Sequence, residues 1–334
     1  MKSIQSVIDQ DHPVADIIVV DNGSTDGIPD QIRDAFPQVN LIALGENRGL
    51  SLARNIGLRH STGDMVLIID DDVYISRDAL QKMMKAHQDT NAAVVCPRII
   101  LYPETDILQC DGAQIHFSGT LSLRHAYQEV SRHVPAREMT GGFIGACLLV
   151  ERKIFLELGS FDEDYFFYFE DLELSYRLRA LGYEICCEER AIVFHQRGRG
   201  TENLSFRGTG PYPSRRAYLN LRNRWQTICI HYQARTLLML LPALALYETA
   251  AFAESMRRGW FSEYFRAVFS LAFEIKLLKK RRRWQAMRMV QDADILKGGN
   301  LPFSQGFAFG KFAALINLLD SVLNWYWKAA KKWM

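Results

Sequence analysis

The six cysteines of this chain (Cys96, Cys110, Cys147, Cys186, Cys187 and Cys229) include no Cys-x-x-Cys pair and follow no regular spacing. That argues against a disulfide framework and leaves buried free thiols in a reducing compartment as the expectation. Residues 1–13 hold no apolar core segment, so no secretory leader is expected there. The expected location is the cytosol, or the cytosolic face of a membrane. Long apolar runs are scarce as well. The stretch 236–247 is interrupted by Pro242 and then by Glu248 and Glu254, short of the roughly 18 apolar residues of a confident membrane span. The stretch 307–327 is longer but contains Lys311 and Asp320. No internal repeat and no groove-reading motif is present, which argues against nucleic acid as a partner. Acid is scarce in the last part of the chain. Residues 1–210 carry 20 Lys+Arg against 31 Asp+Glu, whereas 211–334 carry 20 against 7, so a net charge of +2 conceals a strongly basic tail. Such asymmetry suggests an anionic surface as partner.

What is present points to an ordered α/β protein. Hydrophobic residues make up 48% of 334, enough for a large domain with an appendage or for two domains. The expected division is 1–210 and a helical, basic extension 211–334. Residue patterns place helices at 2–10, 28–35, 50–60, 77–89, 151–158 and 170–181, the last stopped by Gly182. Strands are expected at 16–20, 39–44, 65–69, 92–96 and 183–194, with shorter β pieces near 113–125 and 144–150. Strand alternating with helix implies a parallel, doubly wound sheet. Residues 197–215, rich in Gly and Arg, read as a mobile basic loop.

Asp70-Asp71-Asp72 ends the apolar run 65–69, at the carboxyl end of a strand, where open α/β sheets bind ligands. Three like charges repel, and burying them is costly without a cation. A divalent Mg²⁺ or Mn²⁺ carrying a phosphorylated ligand fits that demand, with a solvated turn as the plainer alternative. Asp21-Asn22-Gly23-Ser24 ends another strand; its carboxylate could accept from a base or ribose, or the loop could be an ordinary turn. Glu170-Asp171 follows the aromatic stretch 165–169, whose rings would raise a carboxyl pKa and make a general base. The plainer reading is helix-dipole stabilisation. His195 is either structural or, beside the aspartates, a third metal ligand.

The order of these features resembles family 2 glycosyltransferases. Asp21-Asn22-Gly23-Ser24-Thr25-Asp26-Gly27, Asn47-Arg48-Gly49, Arg54-Asn55-x-Gly57 and Asp70-x-Asp72 are similar to the nucleotide-sugar half. Gly141-Gly142-Phe143, Gly159-x-Phe161-Asp162-Glu163, Glu170-Asp171 and His195 continue the resemblance through the acceptor half, to about residue 200. Rhamnosyltransferase-like and galactofuranosyltransferase-like members are the most similar. The resemblance implies a GT-A fold and an inverting, metal-dependent hexosyl- or deoxyhexosyltransferase of polysaccharide synthesis. By it, Asp21, Asn22, Ser24, Arg54, Asp70 and Asp71 would face the nucleotide sugar, and Asp70, Asp72 and His195 would hold Mn²⁺ or Mg²⁺. Asp171 would be the catalytic base, with Glu170 positioning base or acceptor, and Asp71 would be the aspartate of least effect.

The resemblance also implies an apolar strand ahead of residues 1–10 that is not in the sequence. A start site upstream of Met1 is the expectation, and a degenerate member with weakened nucleotide binding is the alternative. In the tail, Lys279-Lys280-Arg281-Arg282-Arg283-Trp284 and Trp325-Tyr326-Trp327-Lys328 suit helices lying on an anionic membrane. The plainer reading packs those helices on the catalytic part. Competing functions are a sugar-binding remnant without turnover and a metal-dependent phosphohydrolase; the latter leaves 21–27 and Glu170-Asp171 unexplained.

Overall fold

The computed structural model of the protein describes residues 1–197, 214–272, 274–299, 301 and 313–334. The chain opens on α1 (Lys2–Ile8), then β1 (Ile18–Asp21), α2 (Ile28–Ala35), β2 (Asn40–Ala43), α3 (Leu50–His60) and β3 (Met65–Ile69), close to the expected positions. There follow β4 (Val73–Ile75), α4 (Ala79–Thr90), β5 (Val94–Leu101), β6 (Leu108–Asp111), β7 (Ala113–His116), β8 (Thr120–Leu123) and β9 (Arg137–Thr140). After these come β10 (Cys147–Glu151), α5 (Arg152–Leu158), α6 (Glu170–Ala180) and β11 (Ile185–His195). The residue patterns do not reveal β4, β6 or β9, each only three or four residues long, because so short a strand shows no period.

The main sheet runs β3-β10-β5-β11-β4, with β6 on β5 and β9 on β11. β5 and β11 pair parallel, and β3 has the same sense, since β10 lies antiparallel to both β3 and β5. β1 and β2 form a separate parallel pair. The short β4, β6 and β9 are antiparallel additions. Every residue of β5 is buried, as expected of a strand covered on both faces. Leu148, Val150, Cys96 and Cys187 pack on one side against Phe155 of α5 and Leu174 and Leu178 of α6. Leu149, Val95 and Cys186 pack on the other against Leu80 and Met83 of α4. All six cysteines are free, and only Cys229 is less than fully buried.

The tail is helical: α7 (Ser214–His231), α8 (Ala234–Arg257), α9 (Phe261–Ala272), α10 (Ile275–Met287), α11 (Asp292–Ile295) and α12 (Ala313–Ala330). Most of the expected basic loop, 198–213, and the start of the second apolar stretch lie outside the described residues. α8 is continuous through Pro242 for 24 residues, long and apolar enough by length and composition to cross a membrane. The stretch expected to be too short for a span thus lies in a helix that meets the length, Pro242, Glu248 and Glu254 included. Within the basic run, Lys280, Arg281 and Trp284 turn inward. Lys280 pairs with Asp162 and Asp164 at 2.6 Å, Arg281 donates to the Cys229 carbonyl at 2.6 Å, and Trp284 is buried beneath Arg177.

Candidate active site

The acid residues converge through Arg54, which lies on α3 and is buried. Its Nη2 donates to Asp70 Oδ1 at 2.7 Å and to the Gly145 carbonyl at 2.8 Å, and its Nη1 reaches Glu170 Oε1 at 3.1 Å. Burial alone would lower its pKa, but Asp70 and Glu170 more than offset that. A Cβ on Gly145 would stand 2.5 Å from Arg54 Nη1, so only glycine leaves room for the guanidinium. The strand-end aspartates thus meet the helix-start acids across one arginine.

Glu170 is 4% exposed, and its Oε2 is buried without a hydrogen-bond partner. Burial, then the charge of Asp171, pushes its carboxyl well above the ordinary range, against the pull of Arg54. Burial likewise raises Asp171, although the Leu172 amide donates to its Oδ1 at 2.7 Å. Both carboxyls are therefore better proton acceptors near neutral pH than exposed acids. A solvated helix start would leave both carboxyls in the ordinary range, whereas burial here raises both.

Asp72 belongs to a second cluster. β4 pairs antiparallel with the end of β11, setting His195 opposite Val73. His195 Nε2 is 3.1 Å from Asp72 Oδ1, and its Nδ1 donates to Gln109 Oε1 at 2.8 Å. With Nδ1 committed, Nε2 either carries a second proton or faces a cation. Arg197 Nε also stands in this cluster, 3.2 Å from both His195 Nε2 and Asp72 Oδ2. Burial alone would raise the Asp72 pKa, but His195 and Arg197 outweigh it and the carboxyl sits below the ordinary range. A carboxylate beside an imidazole oriented from its far nitrogen is a donor set suited to Mn²⁺, so Asp72 and His195 fit a divalent ion. Asp70 stands on the Arg54 side of the turn. The charge on the aspartates is thus answered partly by two arginines of the protein itself, which the sequence reading did not foresee. Asp71 is exposed, and its carbonyl accepts from Ser3 Oγ at 2.7 Å.

The first loop is partly self-satisfied. The Asp21 carboxylate accepts from the Ser24 amide at 3.2 Å. Asn22 Oδ1 accepts from the Arg48 amide at 2.8 Å, and its Nδ2 donates to the Gly49 carbonyl. Gly23 has φ +85°, and a Cβ there would lie 2.6 Å from Glu46 backbone. Asn22 therefore staples two loops together, while Ser24 is exposed. A further acid and histidine group, Asp111, His125 and Glu189, has the spacing of a metal site. Arg98 fills it, donating to Asp111 at 2.7 Å and to Glu189 at 3.0 Å. Sequence reasoning passed over Arg197, Gln109 and Gly145. Only the position of Arg197, two residues after His195, offered a signal.

Residues 2–157 match the family description "Glycosyl transferase family 2". The chain is 25% identical over 220 residues to the low-salt glycan biosynthesis hexosyltransferase Agl10 of Haloferax volcanii, covering 64% of this chain and 66% of that protein. It is 28% identical over 214 residues to the N-acetylglucosaminyl-diphospho-decaprenol L-rhamnosyltransferase of Mycobacterium tuberculosis, covering 57% and 69%. GalNAc-T7, crystallised with UDP, GalNAc and Mn²⁺, superimposes with a TM-score of 0.57 at 15% identity, over 82% of this chain and 54% of that one. That likeness concerns the fold. The ordered motifs, the fold and the family match agree: residues 2–157 are similar to a family 2 glycosyltransferase domain, and the fold is of the GT-A type.

Proposed function

We propose that the protein moves a hexosyl or deoxyhexosyl group, with inversion, from a nucleotide-sugar donor to a hydroxyl of a glycan or lipid-linked acceptor. The observation that supports this reading is the Arg54 bridge between Asp70 and Glu170, which joins one strand-end aspartate to the helix-start acid pair. In this reading Asp171 takes the proton from the acceptor hydroxyl, its raised pKa suiting the task. Glu170, held by Arg54, orients the acceptor or the base. Asp21, Asn22, Ser24, Arg54, Asp70 and Asp71 line the donor side. Asp72 and His195, with Asp70 beside them, would hold Mn²⁺ or Mg²⁺. Bound there, the ion would act as a Lewis acid on the diphosphate.

The acceptor class rests on the two curated relatives, whose names specify glycan synthesis and a diphospho-decaprenol acceptor. We assign the catalytic unit to 1–210 and place it at the cytosolic face of a membrane. The extension 211–334 would lie on an anionic surface through the exposed side chains of α8, α9, α10 and α12.

A thermal-shift panel of UDP-, GDP- and dTDP-sugars with Mn²⁺ and Mg²⁺ identifies the donor, and release of nucleoside diphosphate measures turnover. Asp171→Asn is expected to lower kcat by about 100-fold or more while the donor Kd stays within about twofold. Full turnover in that variant removes Asp171 from the role. Donor binding without turnover by the unaltered protein would favour the sugar-binding remnant instead.

A further inference from the structure

The segment that delivers Glu170 and Asp171 has an unusual backbone. Tyr168 and Phe169 both lie in the left-handed region, at φ +68° and +67°, where aromatic residues are rarely found. Such a conformation persists only when its surroundings over-determine it, and here they do. Six consecutive carbonyls have an identified donor. Arg222 Nη1 donates to the Asp164 carbonyl at 3.1 Å, Ser51 Oγ to Tyr165 at 2.7 Å, and the Leu50 amide to Phe166 at 2.8 Å. Asn223 Nδ2 donates to Phe167 at 3.0 Å and to Tyr168 at 2.8 Å, and the Glu173 amide closes the series on Phe169 at 2.9 Å.

Three of those six bonds come from Arg222 and Asn223, neighbours on α7. This helix lies beyond the region that matches the family and in the part expected to be an appendage. Asn223 is 0% exposed. A buried amide is costly unless its bonds are made, and an apolar residue would pack α7 as well. What an apolar residue cannot do is hold the carbonyls of Phe167 and Tyr168, which flank the first left-handed residue. Nearby, Arg215 stacks on Phe166 at 4.1 Å and Arg216 on Phe167 at 5.2 Å, so α7 grips the segment by its rings as well as its backbone.

We propose that Asn223, assisted by Arg222, is a positioning residue for the transfer reaction: it holds the Tyr168–Phe169 turn and thereby sets the aim of Asp171 and Glu170. This rests on the reading of Asp171 as the base. The rival role for Asn223 is stability alone, tying α7 to the body of the protein.

Thr227, one turn further along α7, separates the two. It is buried; its hydroxyl donates to the Asn223 carbonyl at 3.0 Å and meets Tyr165 Oη at 2.9 Å, with no hydrogen bond to the carbonyls of Phe167 or Tyr168. Asn223→Ala, Asn223→Ser and Thr227→Val are compared in the full-length protein by melting temperature, nucleoside diphosphate release and amide hydrogen exchange of residues 168–173. Asn223→Ala is expected to lower kcat about 100-fold, the scale of a misplaced reacting group. Its donor KM should stay within about twofold, and exchange at 170–172 should quicken. Asn223→Ser, which keeps one donor, should fall between and serves if the alanine variant does not fold. Thr227→Val should lose melting temperature but keep kcat and the exchange pattern. The proposal is overturned if the Asn223 variants retain kcat and slow exchange, or if Thr227→Val loses as much kcat for the same loss of melting temperature. Asp171→Asn is run alongside: wild-type turnover there would sink the base assignment, a result independent of the exchange data for Asn223.

Discussion

Arg54 shows what one residue can carry. Its guanidinium is enclosed by Asp70, Glu170 and the Gly145 carbonyl, and it lies 5.2 Å over the Phe161 ring. Removing one partner of a buried ion pair strands the others, at a cost of about 3–5 kcal/mol. Arg54→Met should therefore lower the urea midpoint by that equivalent. Arg54→Lys should not restore it, because an ammonium cannot bridge three acceptors in the plane of a guanidinium. An unchanged midpoint in the methionine variant would mean that the bridge contributes nothing to stability. The resemblance set Arg54 near the nucleotide. Its actual neighbours lie 16, 91 and 116 positions away, beyond the reach of any local pattern. Arg197 is a similar case: the sequence shows only the first arginine of a basic loop, and the fold brings it between Asp72 and His195.

At the scale of elements, the long helices and β3 were legible because apolar period and capping chemistry act locally. β4 was not, although it sets His195 beside Asp72. Pairing with β11, rather than any propensity of Val73, Tyr74 and Ile75, makes it a strand. A second pairing joins β7 to the tail. The Phe117 amide donates to the Lys297 carbonyl at 3.0 Å, the Lys297 amide to Ile115 at 2.8 Å, and Phe117 stacks on Trp327 of α12. His116 lies at this seam, fully buried. Its Nδ1 accepts from the Ser118 amide and its Nε2 donates to the Gly299 carbonyl. Burial, with Arg224 adding to it against the Gly299 bond, lowers its pKa from 6.5 to about 4. The unfolded chain therefore binds this proton more readily than the folded one. Stability falls as pH drops from about 6.5 towards about 4 and is unaffected above that window. Between pH 7 and pH 5 His116 should cost about 2 kcal/mol, read as a falling urea midpoint. Replacing it in His116→Gln should flatten that part of the pH profile. An equally steep profile in the variant would assign the acid sensitivity elsewhere.

At the scale of the whole molecule, the acidic first part and basic tail are joined by shared packing. Ile115, Leu172 and Tyr176 form one apolar cluster with Ile228, Leu240, Leu323 and Trp327. The outward face of the tail is a different surface. Tyr326 Oη donates to the Met239 carbonyl. Near that contact the sequence neighbours Leu238 and Leu241 of α8 and Val322 and Trp325 of α12 are exposed, Trp325 at 72%. α9 exposes Phe261, Phe265 and Phe269, and α10 exposes Lys279, Arg282 and Arg283. Apolar and aromatic side chains among cations suit an anionic bilayer surface. The protein should sediment with phosphatidylglycerol vesicles at low salt and much less with phosphatidylcholine. High salt should weaken the binding, and Leu241→Ser with Trp325→Ser should reduce it about tenfold. Equal recovery with both lipids, or none with either, would remove the anionic surface as partner.

The sequence by itself determined most of the helix and strand run, the resemblance to a glycosyltransferase family and the roster of acids, because these follow from local periodicity and from motifs kept in order along the chain. It also showed the charge division between the two parts. Only the tertiary structure decided which cation answers which acid, that Lys280 and Arg281 of the basic run turn inward onto Asp162, Asp164 and the Cys229 carbonyl, and that α7 grips the turn before Asp171. Those outcomes depend on contacts between residues far apart in the chain. There burial and directional hydrogen bonds, rather than any local preference, select the partner.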